Sequence, residues 1–273
     1  MTKYNEQAQF IKETLNLTLN IQAIKFIEDP KDVPENAINC KDAYGHLSIC
    51  QALALTKREG KTVYSPKEAE WCWSPVVGLG YAKCEPGTPV FEELSRFLFI
   101  ENPEQAKAFL ERFPRLPYGK YCGVLIAPAT EATFEPDVFL ISCSDNFQFR
   151  SLIGAVKFKT GKRLDVSLEM VDSCAYTFIE SMFTKKITVA APDPGEQERA
   201  LANSNEMIMG VPKECMDMLV EGLKFFSMIH MGYKEMHPMK GEDGNMIFDF
   251  PRPEFYNNLF ENWGLDKGEV LKW

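Results

Sequence analysis

Two short apolar runs in the middle of the chain limit the folds that it can adopt. They are CGVLIAPA at residues 122–129 and DVFLIS at residues 137–142. Neither run alternates polar with apolar residues, so each is typical of a strand that is covered on both faces. Segments with helical periodicity precede and follow them, and the alternating segment RLDVSLEMV at residues 163–171 indicates a further strand. We therefore predict an α+β fold, a mixed α/β sheet with helices packed on it.

The length and composition of the chain fit one main domain followed by a C-terminal segment. The chain has 273 residues, of which 45% are hydrophobic and 25% are charged, as in ordinary globular proteins. Regular patterns end near residue 231, and the rest mixes turn residues with aromatic residues, in which disordered tails are poor. We predict a single α+β domain over residues 1–231. Residues 232–273 are predicted to form an arm that packs on this domain or on a partner subunit of a homo-oligomer.

The charge of the chain disfavours two classes of partner. The net charge is −9 and the isoelectric point is about 5.1, so phosphate backbones and anionic membranes are repelled. The basic segment FKTGKRL at residues 158–164 is short and typical of a solvated face. The N-terminus lacks the pattern of a secretory signal, and no long apolar stretch follows. We predict a cytoplasmic protein that binds a small molecule and neither nucleic acid nor membrane.

Most familiar catalytic signatures are missing from the sequence. We find no phosphate-binding loop, dinucleotide fingerprint, zinc-protease motif or nucleophile elbow. The histidines His46, His230 and His237 lie far apart, and no CxxC pair occurs, which disfavours a histidine-rich metal site and a structural zinc site. The cysteines are therefore the residues that most invite a chemical role.

Three of the eight cysteines occupy positions that suit thiolate chemistry. Cys50 and Cys174 fall at the starts of predicted helices, and Cys72 lies in the loop EWCWSPVVGLGY at residues 70–81. Free backbone N–H groups at such places lower the pKa of a thiol and stabilise the sulfurs of a cluster. The alternative for each is a small buried hydrophobic residue. That alternative fits Cys122, Cys143 and Cys215, while Cys40 and Cys84 are left undecided.

Five segments resemble, in order, the landmarks of the family called domain of unknown function 169, also labelled ArCR. They are ICQALALTKREGK, YSPKEAEWCWSPVVGLGY, the long segment from RLPYG to SLIGA, SCAYTF and NEMIMGVP. The resemblance covers about residues 5–228. The family pattern has three cysteines, which fall here on Cys50, Cys72 and Cys174. The chain departs from it at Trp73-Ser74-Pro75, where the family usually has Pro-Gly-Gly, and the bulky tryptophan narrows the loop.

Our leading hypothesis is that Cys50, Cys72 and Cys174 converge on an iron–sulfur cluster of the [4Fe–4S] type. Three thiolates would leave one iron open to a small molecule, for electron transfer or Lewis-acid chemistry. Two flanking pairs of residues complete the predicted site. Trp71 and Trp73 would keep water away, and Gly78 and Gly80 would let backbone amides approach the sulfurs.

Two other functions remain open from the sequence. The first is a cofactor-free binding or sensing protein in which Trp71, Trp73 and Tyr81 line a pocket and the cysteines are structural. The second is an enzyme with Cys72 as nucleophile, which requires a histidine base that the sequence does not place nearby. Neither the substrate nor the reaction follows from the residues, and whether the protein is an enzyme stays undecided.

Overall fold

The computed structural model describes residues 2–228, 243–245 and 254–264. The described residues form a seven-stranded sheet with helices on both sides. The strands are β1 (Gln22–Ile27), β2 (Ile38–Asn39), β3 (Val63–Pro66), β4 (Gly123–Pro128), β5 (Val138–Cys143), β6 (Thr188–Ala190) and β7 (Met207–Pro212). The helices are α1 (Lys3–Thr14), α2 (Cys40–Tyr44), α3 (Ile49–Glu59), α4 (Trp73–Gly78), α5 (Pro89–Leu94), α6 (Pro103–Glu111), α7 (Asn146–Thr160), α8 (Glu180–Thr184), α9 (Pro194–Ala200), α10 (Met216–Met228) and α11 (Glu254–Asn262).

The sheet is mixed, as the sequence predicts. Its strand order is β2-β3-β4-β1-β5-β7-β6, and every pair is antiparallel except β2 with β3. Because helices and strands are mixed along the chain and the strands pair mainly antiparallel within one sheet, the α+β fold class is confirmed.

The two apolar runs form the strands β4 and β5 on either side of β1, and every residue of both strands is buried. Successive side chains of β5 alternate between two cores, with Val138 and Leu140 on one face and Phe139 and Ile141 on the other. Helices α3 to α6 cover the first face, while α1, α7 and α10 cover the second. Both faces of these strands therefore need apolar residues, which explains the lack of alternation in the sequence.

The strand predicted over residues 163–171 is absent, and the prediction is wrong. The segment has no strand pairing, and Val166, Leu168 and Met170 are exposed. Alternation favours a strand only where one face can be buried, and this segment crosses the surface without such a face.

A π-helical segment, Ala175–Ile179, leads directly into α8. Its defining hydrogen bond runs from the Glu180 N–H to the Ala175 carbonyl, five residues back. Phe178, within the segment, is fully buried and lies 5.9 Å from Phe26 between ring centroids. Such wide turns occur mostly as single-turn insertions and often mark functional sites.

The chain divides into two compact units, residues 1–234 and 235–273. Most of the predicted arm, 232–273, lies outside the described residues, so its packing stays a prediction. Within the described part of the chain, no helix combines the length and apolar character needed to cross a membrane.

Candidate functional site

The structure brings Cys50, Cys72 and Cys174 into one region on the first face of the sheet. Cys50 lies in the first turn of α3, Cys72 directly precedes α4, and Cys174 directly precedes the π-helical segment. All three are free thiols. They are close enough for charge on Cys50 and Cys72 to raise the pKa of Cys174.

Burial outweighs the effect that local N–H groups were predicted to have on the pKa of these thiols. Burial raises the pKa of Cys72 to about 11 and that of Cys174 well above its ordinary value. Burial also raises the pKa of Cys50, although the Ser48 hydroxyl, 2.9 Å from its sulfur, offsets part of the rise. The three thiols are therefore protonated at neutral pH, which disfavours the reading of Cys72 as a nucleophile.

Glu70 accepts hydrogen bonds from backbone N–H groups that the sequence predicts to lie near the sulfurs. Its carboxylate accepts from the N–H groups of Ile49 at 2.7 Å, Trp71 at 2.9 Å and Cys72 at 2.8 Å. Burial nevertheless raises the pKa of Glu70, and these three amides offset it in part. Glu70 thus fixes the start of α3 to the Cys72 loop. Sequence reasoning missed it, and its place two residues before Cys72 is the available signal.

Asp172 contributes a buried carboxylate beside the thiols. Its backbone is left-handed, with φ +62°, and its Oδ2 has no hydrogen-bond partner among the described residues. Burial raises its pKa to about 7, while the Ser74 hydroxyl holds the pKa down in part. The Asp172 charge also raises the pKa of Cys72 and Cys174. No sequence pattern pointed to this residue.

Ser74 lies beside Cys72, Asp172 and Cys174. Its backbone N–H lies beside the Cys72 sulfur and lowers the pKa of that thiol in part. Its hydroxyl is shared between Asp172 and Cys174, whose sulfur is 3.9 Å away. Ser74 therefore lies beside two of the thiols and beside the Asp172 carboxyl group.

Two further acids lie behind the thiols. The Ser173 hydroxyl is 3.0 Å from Asp193 Oδ2 and 2.7 Å from Glu196 Oε2. Burial raises the pKa of Glu196, and nearby Lys57 lowers it in part. Glu196 therefore joins Glu70 and Asp172 as a carboxyl group near the thiols whose pKa is raised by burial.

The predicted flanking residues divide between core and surface. Trp73 packs on Phe113, with ring centroids 5.3 Å apart. Trp71 is 49% exposed, and the Arg199 guanidinium stands 4.8 Å above its ring. Trp73 thus packs against the apolar core next to Cys72 in the sequence, whereas Trp71 lies at the surface with a cation on it.

Gly78 and Gly80 lie where other segments of the chain pack closely against them, and the atoms nearest to them belong to these segments rather than to the sulfurs. A Cβ on Gly78 would meet the Ile179 side chain at 2.9 Å, and one on Gly80 would meet the Pro117 carbonyl at 2.6 Å. Gly80 has φ +71°, in the left-handed region. Both glycines therefore let α4 and its C-terminal turn pack closely on the rest of this face.

No three His, Cys, Asp or Glu side chains within the described ranges are placed to hold a metal ion. Four ligands around one zinc ion bring sulfurs within about 4 Å of each other, because each Zn–S bond is about 2.3 Å long. Thiolates of a [4Fe–4S] cluster bind different iron atoms, so they need not converge on one point.

The model of the family domain of unknown function 169, described as uncharacterised ArCR, matches residues 10–222. Neither the curated proteins nor the solved structures contain a match to the chain. The family match covers well over half of the sequence, including all three cysteines of the site. The chain therefore belongs to the family domain of unknown function 169.

Proposed function

We propose that the protein binds a [4Fe–4S] cluster through Cys50, Cys72 and Cys174 in the cytoplasm. The fourth iron would be open to a small molecule, which it would bind as a Lewis acid or reduce by electron transfer. The family assignment gives no activity, so the proposal rests on the residues of the site.

The observation that carries the proposal is the unpartnered Asp172 Oδ2 beside three free thiols. Leaving a buried oxygen without a partner costs about 1–3 kcal/mol, and native proteins rarely do so. A small molecule bound at the open iron of a cluster would provide such a partner. The left-handed backbone of Asp172, with φ +62°, adds a local conformational cost that a bound group would justify.

The protonation of the site also fits a metal centre that exchanges protons. Burial keeps the thiols of Cys72 and Cys174 protonated, so metal binding would release these protons. Asp172, two residues before Cys174, adds a carboxyl group whose pKa is raised by burial.

Hydrogen-bond donors near the sulfurs would stabilise the charge of a cluster. The Ser48 hydroxyl lies 2.9 Å from the Cys50 sulfur, and the Ser74 hydroxyl lies 3.9 Å from the Cys174 sulfur. Donors to sulfur and exclusion of water are the main ways in which a protein sets a cluster's potential. Packing of Trp73 on Phe113 supplies an apolar cover on this side.

Purification without oxygen provides the direct test. We expect brown protein with absorbance near about 400 nm, roughly four iron atoms and equal acid-labile sulfide per chain. Replacing Cys50, Cys72 or Cys174 singly with serine should lower the iron content severalfold, because the ligands of one centre act as a unit.

Cys143→Ser serves as the matched control. Cys143 is more deeply buried than the proposed ligands, but it lies on β5 and faces the opposite core. It should keep its iron and sulfide, even if its unfolding temperature falls. Colourless wild-type protein without iron or sulfide would refute the cluster. Equal iron loss from all four variants would show a general folding defect instead of ligation.

A further inference from the structure

A cavity lies where three neighbouring strands of the sheet end. It has a volume of about 180 Å³ and is formed beyond the last residues of β1 and β3 and before the first residue of β4. Its chemistry is set by the side chains of Glu28, Lys67, Tyr81, Tyr118, Lys120 and Tyr121. None of the three site cysteines lines this cavity.

Backbone hydrogen bonds hold the walls of this cavity in place. The Lys67 N–H donates to the Cys122 carbonyl at 3.0 Å, and the Cys122 N–H donates to the Ile27 carbonyl at 2.8 Å. On the other side, the Gly119 N–H donates to the Gly80 carbonyl at 2.9 Å, which joins the loops that carry Tyr81 and Tyr118. The cavity is therefore built on the sheet and does not depend on a free loop.

The Tyr81 hydroxyl is the unusual feature of the cavity. Its oxygen is buried and has no hydrogen-bond partner within the part of the chain that the structure describes. A phenol can donate one hydrogen bond and accept others, and leaving it unpaired costs free energy. Since Tyr81 lines the cavity, a bound molecule there can supply the partner.

Cations outnumber carboxylates among the charged residues that line the cavity. Two ammonium groups and one carboxylate line it, in a chain whose net charge is −9. Lys120 Nζ is 3.4 Å from Glu28 Oε1, and Lys67 Nζ is 3.9 Å from Glu68 Oε1. Both ion pairs are loose and partly exposed, so neither cation is firmly committed to its carboxylate.

We infer that this cavity binds a small oxyanion, a carboxylate or phosphate, through the Tyr81 hydroxyl and the ammonium groups of Lys67 and Lys120. A water molecule occupies about 30 Å³ in the liquid, so the cavity has room for roughly six waters or for a ligand of similar size. Inorganic phosphate and malonate both fit this limit. The inference does not depend on the iron–sulfur proposal, because it uses none of the residues proposed as ligands.

Calorimetric titration of the full chain with inorganic phosphate and, separately, with malonate tests the inference. We expect saturable binding of at least one anion with one site per chain. Tyr81→Phe should weaken that binding by about tenfold, since it removes a hydrogen bond to a charged group. Lys120→Met should weaken it by a similar factor. The anion that binds more tightly identifies the phosphate or carboxylate source.

Two controls keep the result interpretable. Tyr44→Phe makes the same change at an exposed tyrosine outside the cavity and should leave affinity unchanged. Tyr81→Phe should unfold at the wild-type temperature or above in the absence of anion, because it removes an unsatisfied buried hydroxyl. Absence of saturable binding by both anions overturns the inference. Wild-type affinity in either Tyr81→Phe or Lys120→Met also overturns it.

Discussion

Replacing Glu206 with glutamine is expected to lower the free energy of unfolding by about 3–5 kcal/mol. Glu206 Oε2 lies 2.9 Å from Lys57 Nζ, and Oε1 lies 2.5 Å from an Arg58 guanidinium nitrogen. The side chains of Glu206 and Lys57 are 0% and 3% exposed. Glutamine keeps the volume but removes the negative charge, so a buried ammonium group loses its closest counter-ion. That loss costs far more than breaking a solvated ion pair.

Equilibrium unfolding in urea measures the effect, with Glu135→Gln as the matched control. Glu135 Oε1 also pairs with a lysine, Lys213, at 2.7 Å, but on the surface. We expect little change in that variant, because water screens the pair. A Glu206→Gln variant as stable as Glu135→Gln would contradict the assignment of Glu206 as the essential partner of Lys57.

The same ion pair gives a pH dependence of known sign. Burial alone would raise the pKa of Glu206, but the Asn203 amide, Lys57 and Arg58 together bring it below its ordinary value of 4.5. The stabilisation is therefore present above about pH 4.5 and is lost as the pH falls through the lower, folded-state pKa. The difference in unfolding free energy between wild type and Glu206→Gln should narrow on acidification below that pH. A difference that stays constant would contradict the lowered pKa.

Gly80→Ala is expected to destabilise the protein by about 2–4 kcal/mol, considerably more than Gly119→Ala. Both glycines have φ +71°, so both substitutions carry the cost of a left-handed side chain, about 1 kcal/mol. They differ in their surroundings. The new Cβ of Gly80→Ala would lie 2.6 Å from the Pro117 carbonyl oxygen and 2.8 Å from that of Leu116, whereas nothing lies within 4 Å at Gly119.

Comparison of the two alanine variants by urea unfolding separates the two costs. The loss in Gly119→Ala measures the backbone conformation, and the additional loss in Gly80→Ala measures the close approach of the two segments. Carbonyl oxygens cannot move aside as a flexible side chain can, so the second cost should be the larger. Equal losses in the two variants would show that the 116–119 segment gives way freely.

The sequence predicted those parts of the fold that depend on local pattern. Uninterrupted apolar residues identified β4 and β5, because both faces of these strands are covered. The segment 163–171 has an equally clear alternation, yet it forms no strand. Whether it forms a strand depends on whether the edge strand of the sheet can pair with it. This is a property of the assembled sheet that no local pattern contains.

The electrostatic environment of the site was beyond prediction for a related reason. A helix start at Cys50 follows from local signals, including Gly60 in the left-handed conformation at its end. The N–H of Ile49 is nevertheless taken by Glu70, 21 residues further along the chain. Burial of the thiols likewise depends on distant elements, and it reverses the pKa shift that a helix start alone would produce. Local sequence places a thiol, whereas the folded surroundings decide its protonation.

The π-helical segment has a consequence for how the polar site is aligned with the core. A π turn contains one residue more than the α turn that would replace it, and one residue corresponds to about 100° of rotation around a helix axis. Deleting one residue from Ala175–Ile179 would close the turn and rotate Asp172 and Cys174 by that angle relative to α8. The extra residue therefore fixes the rotation of the residues before the π-helical segment relative to α8 around the helix axis. It allows α8 to follow the packing of the sheet while Asp172 and Cys174 keep a different orientation.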